Sequence, residues 1–352
     1  MRVLVVRPDG MGDVLLTGPA VRAVAASGAD VTFLAGPHGT GAAALLPGVN
    51  RVLEWRAPWI DPEPGAFDPG PVQSLIRQAA RLGPDAAVVF TSFHQSALPT
   101  ALALRLAGVP QIAAISEDYP GSLLDVRCPP PGDIPEPERN LRLARAAGFE
   151  LPPGDNGGLA VRAGLADGRG LTGDGPYVVL HASASVPARA PSAGRVAAIA
   201  AGLAAAGIRL AVTGSAAETE LTAAVCRAAA AAGPAPVDLG GRTSLPELAA
   251  VLAGADAVVA PNTGAAHLAA AVGTAVVSLF APVVPAARWA PYGVPAIVLG
   301  RQDAPCAGSR ARVCPVPRHP CLDLVDPDDV VTAVAELRGR PVPGPAHAEA
   351  GR

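Results

Sequence analysis

Short runs of consecutive apolar residues alternate with alanine-rich stretches along nearly the whole chain. No other feature limits the possible folds so strongly. The runs are RVLVV (2–6), DVTFLA (30–35), AAVVFTS (86–92) and QIAAIS (111–116) in the first half. YVVLHAS (177–183), IRLAVTGS (208–215), DAVVAP (256–261), AVVSLFAP (275–282) and AIVLG (296–300) follow in the second. A strand apolar on both faces has to be covered on both faces, which is the situation of a parallel sheet. Alanine is the best helix former, so the stretches between the runs predict crossover helices and βαβ units. The fold class expected is α/β, with doubly wound parallel sheets in two domains.

Chain length agrees, since 352 residues exceed what one core ordinarily serves. Between the two series lies ELPPGDNGGLAVRAGLADGRGLTGDGP, dense in Gly, Pro and Asp, and the domain boundary is placed there. Part of it, LAVRAG, also reads as a terminal strand of the first domain. The domains expected are 1–170 and 171–338, with 339–352 a disordered tail. Before the tail, DPDDVVTAVAELRGR reads as a helix capped by Asp326, with Pro327 in the first turn.

Composition removes several classes of function. The formal net charge is −3 and charges of both signs are interspersed, so no basic stripe marks a nucleic-acid binder. The longest apolar stretch, 268–284, is interrupted by Gly273, Thr274, Ser278 and Pro282, unlike a membrane span. Five cysteines are few, and an odd number argues against a disulfide framework. The chain opens directly into RVLVVR, so no signal peptide is expected and the location expected is cytoplasmic. All 27 strong cations are arginine, and lysine is absent. Any anion site must therefore use Arg, His or backbone N–H groups.

The chemistry-bearing residues gather where strands give way to helices. In APNTGAAHLAAA a helix is expected to start near Asn262 or Thr263. The first N–H groups of a helix lack internal partners and its dipole favours anions there. Gly264 permits close backbone approach, Thr263 adds a hydroxyl, and His267 follows one turn on: a phosphate seat without lysine. Simple capping by Asn or Thr beside a packed histidine is the other reading. Thr213, Gly214, Ser215 and Glu218 stand at a second junction, as a nucleotide-binding candidate. Ser183, Ser185 and Arg189 stand at a third, where a guanidinium would grip phosphate oxygens, unless Arg189 is an ordinary loop arginine. In the first domain, RPDGMGDVLLTG places Gly10, Gly12 and Asp13 after strand one. Asp13 reads either as an N-cap or as a carboxylate base. FTSFHQS adds Ser92, His94, Gln95 and Ser96, and ISEDYPG adds Glu117, Asp118 and Tyr119. These suit acceptor hydroxyls or a plain solvated loop.

These pieces, in this order, resemble glycosyltransferase family 9, the ADP-heptose:lipopolysaccharide heptosyltransferase-like proteins. The markers are RPDGMGDVLLTGPAVRAV, HASASVPARAPSAGRVAAIAAGL, the block from LGGRTSLPELAAVL to VVSLFAP, and RWAPYG. The resemblance implies a GT-B fold, two Rossmann-like domains facing a cleft, with the nucleotide sugar on the second and the acceptor on the first. It implies an inverting transfer that needs no metal or other cofactor, with ADP-heptose or a related nucleotide-diphospho-sugar as co-substrate. Asp13 falls on the general base, with Gly12, His94 and Gln95 as acceptor-side candidates. Arg189, Thr263, Gly264 and His267 fall on the donor diphosphate site. Asn262 stands where the family commonly has Asp, toward the donor sugar, and Arg189 lies in a loop where heptosyltransferases often use Lys. A glycan or lipid-linked acceptor, a monomer and at most peripheral contact with the inner membrane face are implied.

Two alternatives stay open: a GT-B-type sugar-nucleotide epimerase, and a non-catalytic nucleotide-sugar-binding or scaffold protein of envelope assembly. Outside these sites, CAGSRARVCPVPRHPC packs Cys306, Cys314, His319 and Cys321 into a proline-rich segment. Free thiols, a local disulfide or a structural zinc site are its three readings. No C-x2-C pair is present, because Ser309 stands where one would be completed.

Overall fold

A computed structural model describes residues 1–61 and 65–339. The expected tail falls, from residue 340 on, outside the described residues. The chain forms two compact units, one from Met1 to Arg162 and one from Ala163 onward. The first carries β1 (Arg2–Arg7), β2 (Asp30–Ala35), β3 (Arg51–Glu54), β4 (Ala86–Val89), β5 (Gln111–Ile115) and β6 (Val126–Cys128). The second carries β7 (Val178–His181), β8 (Leu210–Gly214), β9 (Val237–Gly240), β10 (Ala257–Pro261), β11 (Val276–Leu279) and β12 (Ala296–Leu299).

Every pairing in both sheets is parallel. The order is β3-β2-β1-β4-β5-β6 in the first and β12-β11-β10-β7-β8-β9 in the second. Both are the doubly wound order, in which the chain starts mid-sheet and reverses direction once. The reversal lies between β1 and β4 in one unit and between β7 and β10 in the other. At such a point two neighbouring crossovers leave to opposite faces and open a crevice beyond the strand ends.

The nine apolar runs are all strands. Three further strands, β3 (RVLE), β6 (VRC) and β9 (VDLG), carry no such run, and all three lie at sheet edges. An edge strand is short and carries charge, so it lacks the continuous apolar run that flags a central one. The central strands are buried almost throughout: β1 and β2 are exposed only at their first residue. Leu4, Val6, Leu34, Val89 and Ile112 with Leu104 build one core. Leu180, Val212, Val259, Val277, Ile199 and Val334 build the other.

The linker divides its loyalties. Arg22 grips Asp155 through Nε (2.6 Å) and Nη2 (2.8 Å) and also donates to the Gly158 carbonyl. Arg162 donates to the carbonyls of Leu45, Leu46 and Val49. LAVRAG is thus held by the first unit without becoming a strand. From 163 on the chain packs with the second unit: a Cβ on Gly168 would stand 2.9 Å from the Ala250 carbonyl oxygen. At the far end, the helix Pro327–Arg338 begins as read, with the Asp326 carboxylate accepting from the Asp328 N–H.

Candidate functional site

In the first unit, the end of β1 and the segment after β4 meet at the sheet reversal. β1 closes on Arg7, whose side chain is fully buried. Pro8 and Asp9 follow, then the helix Met11–Leu16 with Gly10 as N-cap. Asp13 is inside the first turn and caps nothing, so the capping reading of this residue falls. The turn packs tightly on its neighbour: a Cβ on Gly36 would lie 2.2 Å from the Pro8 carbonyl oxygen.

Arg7 is the hub of a buried charge cluster. Its Nε pairs with Asp9 Oδ2 at 2.8 Å, and its Nη2 donates to Asp13 Oδ1 at 2.8 Å and to Ser92 Oγ at 3.0 Å. Glu136 Oε2 stands 3.8 Å from the same Nη2 and 3.5 Å from Arg139 Nη1. Burial works against the charge of Arg7, yet Asp9, Asp13 and Glu136 outweigh it and raise its pKa. Asp9 goes the other way for a carboxylate: burial pushes it up by more than Arg7 holds it down, and Asp13 adds to the rise. The Asp13 side chain alone reaches the surface, at 27% exposure against 8% for Asp9 and none for Glu136.

The acceptor-side candidates separate. Gln95 is committed internally, donating to Asp9 Oδ1 at 2.7 Å and accepting from the Ser92 N–H at 2.9 Å. His94 is exposed and lies edge-on to Phe93, ring centroids 5.3 Å apart. Gly12 is the second residue of the helix that carries Asp13. Glu117, Asp118 and Tyr119 form a solvated turn in which Tyr119 is 86% exposed.

In the second unit, the loops after β7 and β10 occupy the reversal point. The helix Gly264–Ala271 follows β10 directly, with Thr263 as N-cap and extended backbone there. No side chain caps this helix. Capping by Asn262 or Thr263 therefore does not explain why those residues stand there. Asn262 is only 4% exposed, and its Nδ2 donor is buried without a hydrogen-bond partner. A buried amide donor normally finds an acceptor, because leaving it unmade costs about 1–3 kcal/mol. His267 is buried one turn in, and the helix is buried from Ala265 to Ala271. Alanine is what a helix enclosed on every side has room for.

Arg189 ends a short 3-10 turn, Pro187–Arg189, in the loop after β7. That turn is braced by the cysteine-rich segment, since the Ala188 N–H donates to the Arg312 carbonyl at 2.9 Å. Ser215 and Glu218 make a capping box, in which Ser215 N–H meets Glu218 Oε2 at 2.6 Å. Gly214 closes β8, and a Cβ there would crowd Thr222 at 2.9 Å. Thr213 Oγ1 lies 3.0 Å from His181 Nδ1. Four of the nucleotide-side candidates are thus knitted into one junction, partly by structural bonds.

His181 belongs to that junction although it lies outside the candidate residues that the sequence motifs mark, as do Arg7, Asp9, Glu136 and Arg139. A charged or titratable residue at the last position of an apolar strand, as in VVR and VVLH, is the signal that finds two of them. Burial pushes the His181 imidazole down to about 4, with Glu218 pulling it up. The unfolded chain binds a proton below the ordinary histidine value that the folded protein refuses. Stability is therefore whole above about pH 6.5 and falls as pH drops toward 4, by on the order of 3 kcal/mol. Urea unfolding from pH 7 to pH 4.5 should show this loss, and His181→Gln should flatten it; an equal pH slope in both proteins would remove His181 as the cause.

The cysteine-rich segment holds free thiols, with Cys306 and Cys321 buried and Cys314 half-buried. Burial, with Cys306 and Cys314 near, pushes the Cys321 thiol up to about 12. No group of three or more His, Cys, Asp or Glu side chains able to hold a metal occurs among the described residues. Cys306, Cys314, His319 and Cys321 therefore do not assemble the zinc site that was one reading of this segment. Its backbone instead ties the Arg189 turn to the strand ends, through Gly308 N–H to Pro282 and Arg310 N–H to Val283. Among the described residues no helix is long and apolar enough to cross a membrane.

Two doubly wound parallel units with polar clusters at both reversal points define the GT-B class of α/β proteins. The profile of glycosyltransferase family 9 (heptosyltransferase) matches residues 95–319, more than half of the chain, and the protein belongs to that family. Lipopolysaccharide heptosyltransferase 1 of Pseudomonas aeruginosa is 47% identical over 73 residues, covering 21% of this chain and 20% of that protein. The match thus spans about a fifth of that relative's length. The structure of Escherichia coli ADP-heptose lps heptosyltransferase II aligns with a TM-score of 0.73 at 19% identity, over 96% of this chain and 98% of the other. Escherichia coli heptosyltransferase WaaC with ADP aligns with a TM-score of 0.62 at 20% identity, over 96% and 97%.

Proposed function

We propose that this protein is an inverting, metal-independent glycosyltransferase that moves heptose or a related sugar from an ADP-linked donor to an acceptor hydroxyl. The observation that carries the reading is the unpartnered buried amide of Asn262 at the mouth of an uncapped, enclosed helix. It supports a ligand that brings its own acceptor oxygens. Helix N–H groups, Thr263, Gly264, His267 and Arg189 then take the donor diphosphate and stabilise the charge that grows on it as the glycosidic bond breaks. Asn262 addresses the sugar hydroxyls, and Thr213, Gly214, Ser215 and Glu218 address the nucleoside. Asp13 takes the proton of the attacking hydroxyl. Family membership, and a related fold that carries ADP in the WaaC structure, support the nucleotide. The acceptor is a glycan or lipid-linked glycan, met by a monomer on the cytoplasmic side of the membrane.

Calorimetric titration with ADP, UDP and GDP in parallel tests the donor. Binding of ADP alone is the expected result. Preference for UDP or GDP would keep the transferase and discard the ADP-linked sugar. No heat with any of the three would sink the donor seat.

A further inference from the structure

Asp13 sits on a helix of only six residues whose N-cap makes no side-chain bond. Little in its own element fixes the carboxylate. One oxygen, Oδ1, accepts from Arg7 Nη2 at 2.8 Å, while the other takes no hydrogen bond within the described residues. Arg7 is itself immobilised from the other side. Its Nε is held by Asp9, Asp9 is held by Gln95, and Gln95 accepts from the Ser92 N–H. Ser92 Oγ closes the ring by accepting from the same Nη2 that grips Asp13. A planar guanidinium with one edge committed presents the rest of its donors at fixed angles, which an ammonium cannot do. The result is a buried frame that ends on a single surface carboxylate.

We infer that Arg7, locked by Asp9, Ser92 and Gln95, is the positioning residue of the transfer reaction: it pins Asp13 Oδ1 so that Oδ2 faces the acceptor hydroxyl. The inference rests on the reading of Asp13 as the base. Arg7 touches no reacting atom, because its guanidinium is fully buried behind Asp13. Its work is to limit the base to one rotamer, and a misplacement of about 1 Å costs roughly 10²-fold in rate.

The test is a double-mutant cycle on ADP release from ADP-heptose, to water and to deep-rough lipopolysaccharide as acceptor. Arg7→Lys keeps the charge and loses the fork. It is expected to lower kcat by about 10²-fold with donor KM and ADP affinity unchanged. In an Asp13→Asn background the same change is expected to lower turnover no further, since there is no base left to aim. A merely structural role would give the same factor in both backgrounds, and that result overturns the inference, as does a fully active Arg7→Lys. Where Arg7→Lys does not fold, by circular dichroism and ADP binding, Arg7→Gln/Asp9→Asn removes one charge of each sign and is put through the same cycle. A wild type that releases no ADP under either condition fails the reading as an ADP-heptose transferase, on which the inference rests, and takes the inference with it. An active wild type with additive losses sinks the inference alone.

Discussion

Asp13→Asn is expected to lower sugar transfer by about 10²–10⁴-fold, the usual contribution of a general base, while ADP binding stays as in the wild type. Asparagine is nearly isosteric with aspartate, and its carbonyl oxygen can still accept from Arg7 Nη2 as Asp13 Oδ1 does. The helix and the buried cluster are therefore kept, and only the proton acceptor is removed. Nucleotide binding is spared because every proposed donor residue belongs to the second compact unit, which has its own sheet and core. Initial rates and calorimetry on one preparation decide the matter. Loss of binding together with transfer would reject the assignment of Asp13 as base, and so would full activity.

The second large effect falls on stability. Glu136 has no exposed side-chain surface and stands between Arg7 and Arg139. Removing one member of a buried ionic group strands the other charges, at a cost of about 3–5 kcal/mol. Glu136→Ala should therefore lower the unfolding free energy of the first unit, read from urea denaturation, by that amount, whereas Glu138→Ala on the same helix, at an exposed position, should lower it by about 1 kcal/mol or less. Equal midpoints for Glu136→Ala and wild type would show that the cluster contributes no net stability. A loss far beyond this range would show that the cluster organises the unit rather than fitting into it.

Some of the candidate site was legible without coordinates because it is local. Thr263, Gly264 and His267 are neighbours in sequence, and a helix starting after an apolar strand brings their backbone and side chains to one end by geometry alone. Asp13 is legible for the same reason, one turn into the helix after β1. The capping alternatives were equally legible and could not be separated from function, since capping depends on a rotamer. The structure separates them: Thr263 holds the N-cap position but neither its side chain nor that of Asn262 makes a capping bond, whereas Ser215 and Glu218 do form a box. Gln95 shows the opposite outcome, since a residue read toward the acceptor spends both polar ends on Ser92 and Asp9.

What the sequence by itself determined is the set of central strands, their parallel sense and the loops that carry the polar residues. Each of those follows from a pattern within about ten residues: an apolar run, a helix-forming stretch, a glycine between them. What only the tertiary structure decided is who stands beside whom. Arg7 and Ser92 lie 85 residues apart, yet share a hydrogen bond because β1 and β4 are neighbours at the reversal of the sheet. Glu136 arrives on a helix from still further along the chain. A buried charge chooses its partner by distance in space, and sequence spacing carries almost no information about distances set by the crossing of a sheet. The edge strands β3, β6 and β9 are hidden for a related reason. They become strands by hydrogen-bonding to a neighbour already in place, not by their own pattern.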